Sequence, residues 1–341
     1  MTRVTAIVLA YGEEPWLDDC VRALAASTGV DADIVLVDNG CAVLGLVDEL
    51  ERSVANLTVV RAPENLGYAG GCNAGASVAT GDVLAFVNAD AVVRPDALMA
   101  LADTLRDPAI GLVTASVRLA DDPDRLNAAG NPLTIVGVSW AGHLGEPATD
   151  HATRRRATVV SGATFACTRQ TWDLLGGFDP LHFAYHEDTD LSVRSWQRGL
   201  EVVYEPTAVV VHRYEFSRNP RKYYLLERNR LLNLFTLWEL RTLLVLLPVL
   251  VPFEAAMLLL ATKQGWRHQK VDGYRWLWRH RREVRERRRQ VQAQRTVPDH
   301  EVAQLLTAAI TAPNAPVRQS VWLRAVNAFL SGYWAVAERA L

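Results

Sequence analysis

The sequence predicts an α/β fold, a mostly parallel central sheet flanked by helices, followed by a helical C-terminal region. Three observations carry this. Short apolar runs rich in β-branched residues alternate with helix-period segments over the first hundred residues. Tyr11, Asp38 and Asp90 fall just past the ends of those runs, where parallel sheets bind their ligands. After Arg228 the chain turns strongly apolar and then strongly basic, which marks a separate region.

Residues 4–10 form the first apolar run, a buried strand. A helix opens near Pro15 and carries Leu17, Val21 and Leu24 on one face. Residues 34–37 read as a second strand, ending at Asp38-Asn39-Gly40. Residues 57–60 are a third, and residues 83–87 a fourth that ends at Asn88-Ala89-Asp90. Apolar runs separated by helices belong to parallel sheets covered on both faces. The middle of the chain is less regular. It predicts short strands at 158–160, 165–167, 202–204 and 209–211, a helix near 171–175 and another over about 191–198. Residues 121–156, rich in Asp, Pro, Gly and Asn, read as loops. The natural division is 1–105, 106–228 and 229–341.

In the last part, residues 231–262 are apolar but broken by Glu239, Arg241 and Glu254. The longest uncharged piece, 242–253, is about half of the roughly 20 residues a membrane-spanning helix needs. Pro248 and Pro252 interrupt it. This predicts an in-plane or re-entrant segment rather than a span. Residues 265–295 are packed with arginines and hold Trp266, Trp276 and Trp278, a mixture suited to an anionic headgroup layer. A solvated charged helix is the plainer alternative. Residues 321–341 predict a packing helix with Val326, Phe329, Leu330 and Tyr333 on its buried stripe.

Composition agrees with a folded enzyme-sized chain. Of 341 residues, 50% are hydrophobic and 22% charged, which predicts a packed core rather than disorder. The formal net charge of −2 conceals basic crowding between Lys263 and Arg295. No nucleic-acid-binding motif accompanies that charge, so nucleic acid is not expected as a partner. Cys20, Cys41, Cys72 and Cys167 form no C-x-x-C pair and read as small buried thiols of a reducing compartment. The N-terminus lacks the basic and apolar pattern of a secretory signal, so a cytoplasmic location is expected.

Several residues can carry chemistry. Asp38 at a strand end can accept hydrogen bonds from a nucleobase or ribose, with Tyr11 packing on the base, though Asp-Asn-Gly is also a good turn. The Gly-rich stretch from Asn65 through Gly67 and Asn73 to Gly75 opens a helix whose backbone N–H groups can approach phosphates. It lacks the spacing of a P-loop. Asp90 can hold a divalent ion, because phosphate oxygens and water complete such a site. His212 joins it as a ligand only if the fold brings the two together. Glu187, Asp188 and Asp190 are three carboxylates within four residues, more than a helix cap needs. Crowded like charges raise carboxylate pKa and so basicity.

The order of these motifs is recognisable. Val8-Leu9-Ala10-Tyr11, Val37-Asp38-Asn39, Glu64-Asn65-Leu66-Gly67 with Asn73-Ala74-Gly75, and Asn88-Ala89-Asp90 come first. Ser161-Gly162-Ala163, Gly176-Gly177-Phe178-Asp179, Glu187-Asp188-x-Asp190-Leu191-x-x-Arg194 and Val211-His212 follow. The chain resembles glycosyltransferase family 2, inverting enzymes of the GT-A fold, and in particular its rhamnosyltransferase-like bacterial branch, over about residues 3–235. The resemblance implies that residues 1–105 bind a nucleotide-sugar donor and 106–228 hold the acceptor and catalytic groups. Ala10, Tyr11, Asp38, Asn65, Gly67, Asn73, Asn88 and Ala89 would line the donor site. Asp90 would be the second acid of the Asp-x-Asp motif, binding Mg²⁺ or Mn²⁺ with His212. Asn88 replaces the first acid, which puts more of the coordination on Asp90. Gly12 stands where many relatives have Asn. Asp188 would be the base, with Glu187 shaping the acceptor site and Asp190 capping the helix.

The implied activity moves a sugar from a dTDP- or UDP-linked donor, dTDP-rhamnose among the candidates, to a cell-envelope glycan or lipid-linked acceptor. Membrane-surface contact would run through residues 231–295, at the inner face of the cell membrane. Homo-oligomerisation stays open. The rival readings are a non-catalytic nucleotide-sugar-binding or scaffolding subunit and a nucleotidyltransferase. The acidic Gly12-Glu13-Glu14-Pro15 after the first strand speaks against the second. A dinucleotide-binding dehydrogenase is disfavoured because the first strand lacks the glycine fingerprint.

Overall fold

The computed structural model describes residues 1–213, 221–311 and 321–341. The chain divides into two compact units. One comprises Met1–Asn131, Ala141–Ser195 and Leu200–Phe216; the other comprises Pro132–Trp140, Trp196–Gly199 and Ser217–Leu341.

The first unit is built on a mixed sheet. Its elements run β1 (Arg3–Gly12), α1 (Leu17–Ala25), β2 (Asp31–Cys41), α2 (Leu46–Ser53), β3 (Leu57–Arg61), α3 (Gly67–Val78), β4 (Val83–Asn88), β5 (Ala91–Val93) and α4 (Ala97–Thr104). They continue with β6 (Ile110–Leu119), β7 (Leu126–Ala128), β8 (Arg155–Arg156), β9 (Thr164–Thr168), α5 (Arg169–Leu175), α6 (Glu187–Gln197) and β10 (Glu201–His212). The strand order is β3-β2-β1-β4-β9-β6-β10-β5, with β7 on β6 and β8 on β10. The first four strands and the β6–β10 pair are parallel. Strand β9 enters antiparallel between β4 and β6. Helix α1 buries Leu17, Cys20, Val21 and Leu24, the predicted face with one cysteine added. Cys20, Cys72 and Cys167 are buried free thiols, and Cys41 is half-buried.

The middle of the chain corrects several expectations. Strand β6 was not anticipated from sequence. Its small residues Gly111, Ala115 and Ser116 dilute the apolar signal, yet Ile110 to Val117 are all buried. The strands expected at 202–204 and 209–211 are one strand, β10, whose register on β6 shifts between Glu205 and Val209. Pro206 sits inside that irregularity, where a missing N–H is tolerated. Residues 158–160 form no strand; Val159 makes only a bridge to Asn131. Helix α6 starts at Glu187, four residues before the expected 191, so the acidic cluster lies within its first turn.

The second unit is helical: α7 (Lys222–Leu237), α8 (Leu240–Lys263), α9 (Arg267–Arg279), α10 (Arg281–Gln294), α11 (Asp299–Ala303) and α12 (Val321–Ala337). Pro248 and Pro252 do not break α8, which runs continuously for 24 residues. Prolines four apart place both lost hydrogen bonds on one side of a helix. By length and composition alone α8 is long and apolar enough to cross a membrane, so the apolar stretch is longer than the expected 242–253. Glu254 on α8 is paired. Arg230 and Lys270 each bridge Glu254 and Glu227, with Arg230 and Lys270 almost wholly buried. Tyr274 donates to Glu254 as well, at 2.6 Å. Removing one partner from such a network costs about 3–5 kcal/mol, because it leaves a buried charge uncompensated.

Part of the basic block is therefore internal. Lys270 is in the network, Arg295 pairs with Asp299, and Arg288 donates to the carbonyls of Phe235 and Trp238. Trp266 stacks on Tyr223 at 4.9 Å, whereas Trp278 is exposed. On α12 the buried face is Leu330, Trp334 and Ala337. Val326 and Phe329, expected to pack, face outward.

Candidate active site

Strand pairing assembles the first cluster. After β4 the chain passes Ala89 and Asp90 and returns as β5 along β10, with Ala91 opposite His212. The imidazole Nε2 of His212 thus stands 3.1 Å from Asp90 Oδ1. Its Nδ1 is 2.9 Å from Asn127 Oδ1 on β7. A neutral His212 donating from Nδ1 to that amide oxygen turns the Nε2 lone pair toward a carboxylate oxygen. A proton or a divalent cation between the two satisfies that arrangement. One carboxylate and one imidazole suit Mg²⁺ or Mn²⁺ when a diphosphate and water supply the other positions. The donor set therefore fits the expected ion, with Asn127 as the partner that orients His212.

The second cluster is the start of α6. Asp188 Oδ1 accepts from the Thr189 amide at 2.7 Å and the Thr189 hydroxyl at 3.3 Å. Gly162 lies against this carboxylate: a Cβ there would sit 3.4 Å from Asp188 Oδ2, and its nearby amide favours the ionised form. Burial raises the Asp188 pKa against these donors. Burial, and then the charge of Asp188, push Glu187 up to about 8. Glu187 Oε2 has no hydrogen-bond partner among the described residues. The donors around Asp188 favour its ionised form, so at neutral pH the shared proton belongs on Glu187.

Asp190 and Arg194 hold this turn in place. They form a buried ion pair at 2.6 Å. Arg194 also donates to the carbonyls of Leu175 and Gly177. Asp190 is thus structural through its ion pair, a role different from the expected cap. The loop before the helix is strained: Phe183, Tyr185 and His186 all have φ between 62° and 69°.

The expected donor residues divide into two groups. Tyr11 is exposed at the end of β1, and its ring lies beside Gly40. Asp38 Oδ1 accepts from the amides of Gly40 and Cys41 at 3.1 and 2.9 Å, forming a turn. Ala10 and Ala89 are buried, while Asn88 is half-buried at the end of β4. Asn65, Gly67 and Asn73 are engaged by the chain itself. Asn65 Oδ1 accepts from Asn39 Nδ2 at 3.0 Å and from the Gly67 amide at 2.9 Å. A Cβ on Gly67 would stand 2.4 Å from the Phe183 carbonyl oxygen. Asn73 exchanges two hydrogen bonds with the backbone of Phe178, at 2.8 and 3.0 Å. These three residues fix the loops around the site.

The family described as glycosyltransferase like family 2 matches residues 2–231. The chain belongs to glycosyltransferase family 2. Among similar proteins is a pre-mycofactocin glycosyltransferase of Mycobacterium tuberculosis, 28% identical over 52% of this chain and 37% of the relative. The chain thus matches little more than a third of that relative's length. An N-acetylglucosaminyl-diphospho-decaprenol L-rhamnosyltransferase of the same organism is 26% identical over 62% of this chain and 76% of the relative. A structure of GalNAc-T7 with UDP, GalNAc and Mn²⁺ superposes with a TM-score of 0.60 at 18% identity, covering 70% of this chain and 49% of that one. That likeness shows the GT-A fold.

Within this glycosyltransferase fold, sequence reasoning missed Asn127, which carries no local signal because it matters only through His212, distant in sequence. Gly162 was read only as part of a motif, without a role. The Glu187 shift makes a prediction about stability. Its folded pKa lies above its unfolded value, so its stabilising contribution is complete below pH of about 4.5. That contribution is lost as pH rises through about 8. Urea unfolding from pH 5 to 9 should show wild type losing stability relative to Glu187→Gln. Parallel curves for the two proteins would contradict the assignment.

Proposed function

We propose that the chain is an inverting glycosyltransferase that uses a dTDP- or UDP-linked sugar, with Asp188 as the base. The observation that carries this reading is the separation of two acidic centres joined by one turn. Gly162 lies against Asp188, a Cβ there standing 3.4 Å from Asp188 Oδ2, and the next residue, Ala163, accepts from the Asn88 amide at 3.0 Å, two residues before Asp90. A divalent ion bound there would supply Lewis acidity toward the leaving diphosphate. Asp90 and His212 hold that end, and Asn127 fixes the imidazole. Asp188 takes the proton of the acceptor hydroxyl as that oxygen attacks the anomeric carbon, and its raised pKa suits the task. Glu187, protonated beside it, leaves Asp188 as the carboxylate that accepts the proton. Tyr11 and Asp38 would hold the base and ribose of the donor. Their backbone turn orients Asp38 and leaves its second oxygen for the ligand.

The rhamnosyltransferase relative supports a lipid-linked or cell-envelope glycan acceptor and a rhamnose-like donor sugar. The helical unit supports peripheral binding at the inner membrane face. Leu240, Leu244, Leu247 and Val251 make an exposed stripe along α8. A cavity of about 440 Å³ lined by Arg221, His268, Arg275 and Arg279, with Asp272 the one carboxylate among its lining residues, carries a net positive charge that suits an anionic group.

Two measurements test these assignments. Asp188→Asn should lower sugar transfer by about 10²–10⁴-fold while donor binding persists; undiminished transfer would overturn the base. In flotation assays the chain should bind phosphatidylglycerol-containing vesicles, and Leu244→Glu with Val251→Glu should weaken that binding. Equal binding by both proteins would remove the helix from the membrane contact.

A further inference from the structure

The loops between β7 and β8 hold a cluster that plays no part in the reaction above. His143 Nδ1 lies 3.1 Å from Glu146 Oε2, and His151 Nε2 lies 2.8 Å from the same oxygen. The two rings are 4.2 Å apart between centroids. One ligand atom from each residue falls within 4.8 Å of the others. We propose that His143, Glu146 and His151 form a second metal site, selective for a transition ion such as Zn²⁺, Ni²⁺ or Co²⁺.

The geometry is close to what such an ion requires. Zinc bonds of about 2.0–2.2 Å in a tetrahedron place neighbouring ligand atoms about 3.3–3.5 Å apart. The nitrogen–oxygen separations of 3.1 and 2.8 Å need to widen by roughly 0.2–0.4 and 0.5–0.7 Å to admit the ion. Two imidazoles and one carboxylate favour zinc-like ions over magnesium, which prefers oxygen ligands in an octahedron. Three protein ligands leave a fourth position open to solvent. His151 is largely covered, while His143 and Glu146 are open to solvent, so an ion can enter from the surface.

The loop already holds these ligands without metal. The Glu146 amide donates to the His143 carbonyl at 3.0 Å, and the Leu126 amide donates to the Glu146 carbonyl at 3.0 Å. The Gly145 amide returns to Leu126 at 2.8 Å. Tyr204 on β10 donates its hydroxyl to the His151 carbonyl at 3.2 Å. His143 adopts φ of 64°, a conformation that costs a residue with a side chain and that aims its ring at Glu146. A bound ion would pin this loop against β7, the strand whose Asn127 orients His212.

Equilibrium dialysis of metal-stripped full-length protein against Zn²⁺ tests the site. Wild type should bind one more equivalent than His143→Ala with His151→Ala, and Asp90→Asn should keep that equivalent. Co²⁺ should give visible d–d absorption in wild type and in Asp90→Asn but not in the double variant. The single His143→Ala change should weaken Zn²⁺ binding by more than about tenfold. Equal zinc stoichiometry in wild type and the double variant would overturn the proposal, as would loss of the extra equivalent in Asp90→Asn.

Discussion

The turn Ser161-Gly162-Ala163 is the contact on which the site depends. It exists because β9 enters the sheet antiparallel between β4 and β6, so the start of β9 meets the end of β4. Four groups use its backbone and flanks. Ser161 donates its amide to Thr114 Oγ1, Gly162 accepts from the Tyr68 hydroxyl and lies against the Asp188 carboxylate, and Ala163 accepts from the Asn88 amide. A purely parallel sheet would leave the Asp188 helix and the Asp90 end without this shared element. A methyl group at 162 would stand 3.4 Å from the Asp188 carboxylate, an ordinary contact distance.

The same logic organises the surrounding loops. Asn73 ties the Phe178 backbone to α3, and Arg194 ties Leu175 and Gly177 to α6. The strained bends from Phe183 to His186 are thereby enclosed between two fixed points. Positive φ at three residues with side chains persists only when neighbours over-determine it. Preorganisation of this kind holds the Asp188 carboxylate in a fixed position.

Much of the first hundred residues was legible in the sequence, because buried parallel strands announce themselves as short apolar runs between helices. The positions of Asp38 and Asp90 at strand ends followed from that pattern. Strand β6 was not legible, since its burial comes from neighbours on both sides rather than from an apolar run. The donor residues show the limit of motif reading. Asn65 and Asn73 stand in the family's order, yet their side-chain atoms bind this chain's own backbone and Asn39. Asp190 looked like a cap and serves as half of a buried ion pair. Such outcomes are fixed by tertiary partners, which spacing does not encode. Glu254 is the same case in the helical unit, where a charge that seemed to interrupt an apolar helix is held by Arg230 and Lys270.

The central claim is the division of labour between Asp90 and Asp188, one at the diphosphate and one at the acceptor. Paramagnetic relaxation of nucleoside-diphosphate ³¹P by Mn²⁺ tests it directly. With the family's donor nucleotides, wild type and Asp188→Asn should both show strong Mn²⁺-dependent ³¹P broadening on the protein, and Asp90→Asn should lose it. Broadening that survives in Asp90→Asn and vanishes in Asp188→Asn would contradict the account.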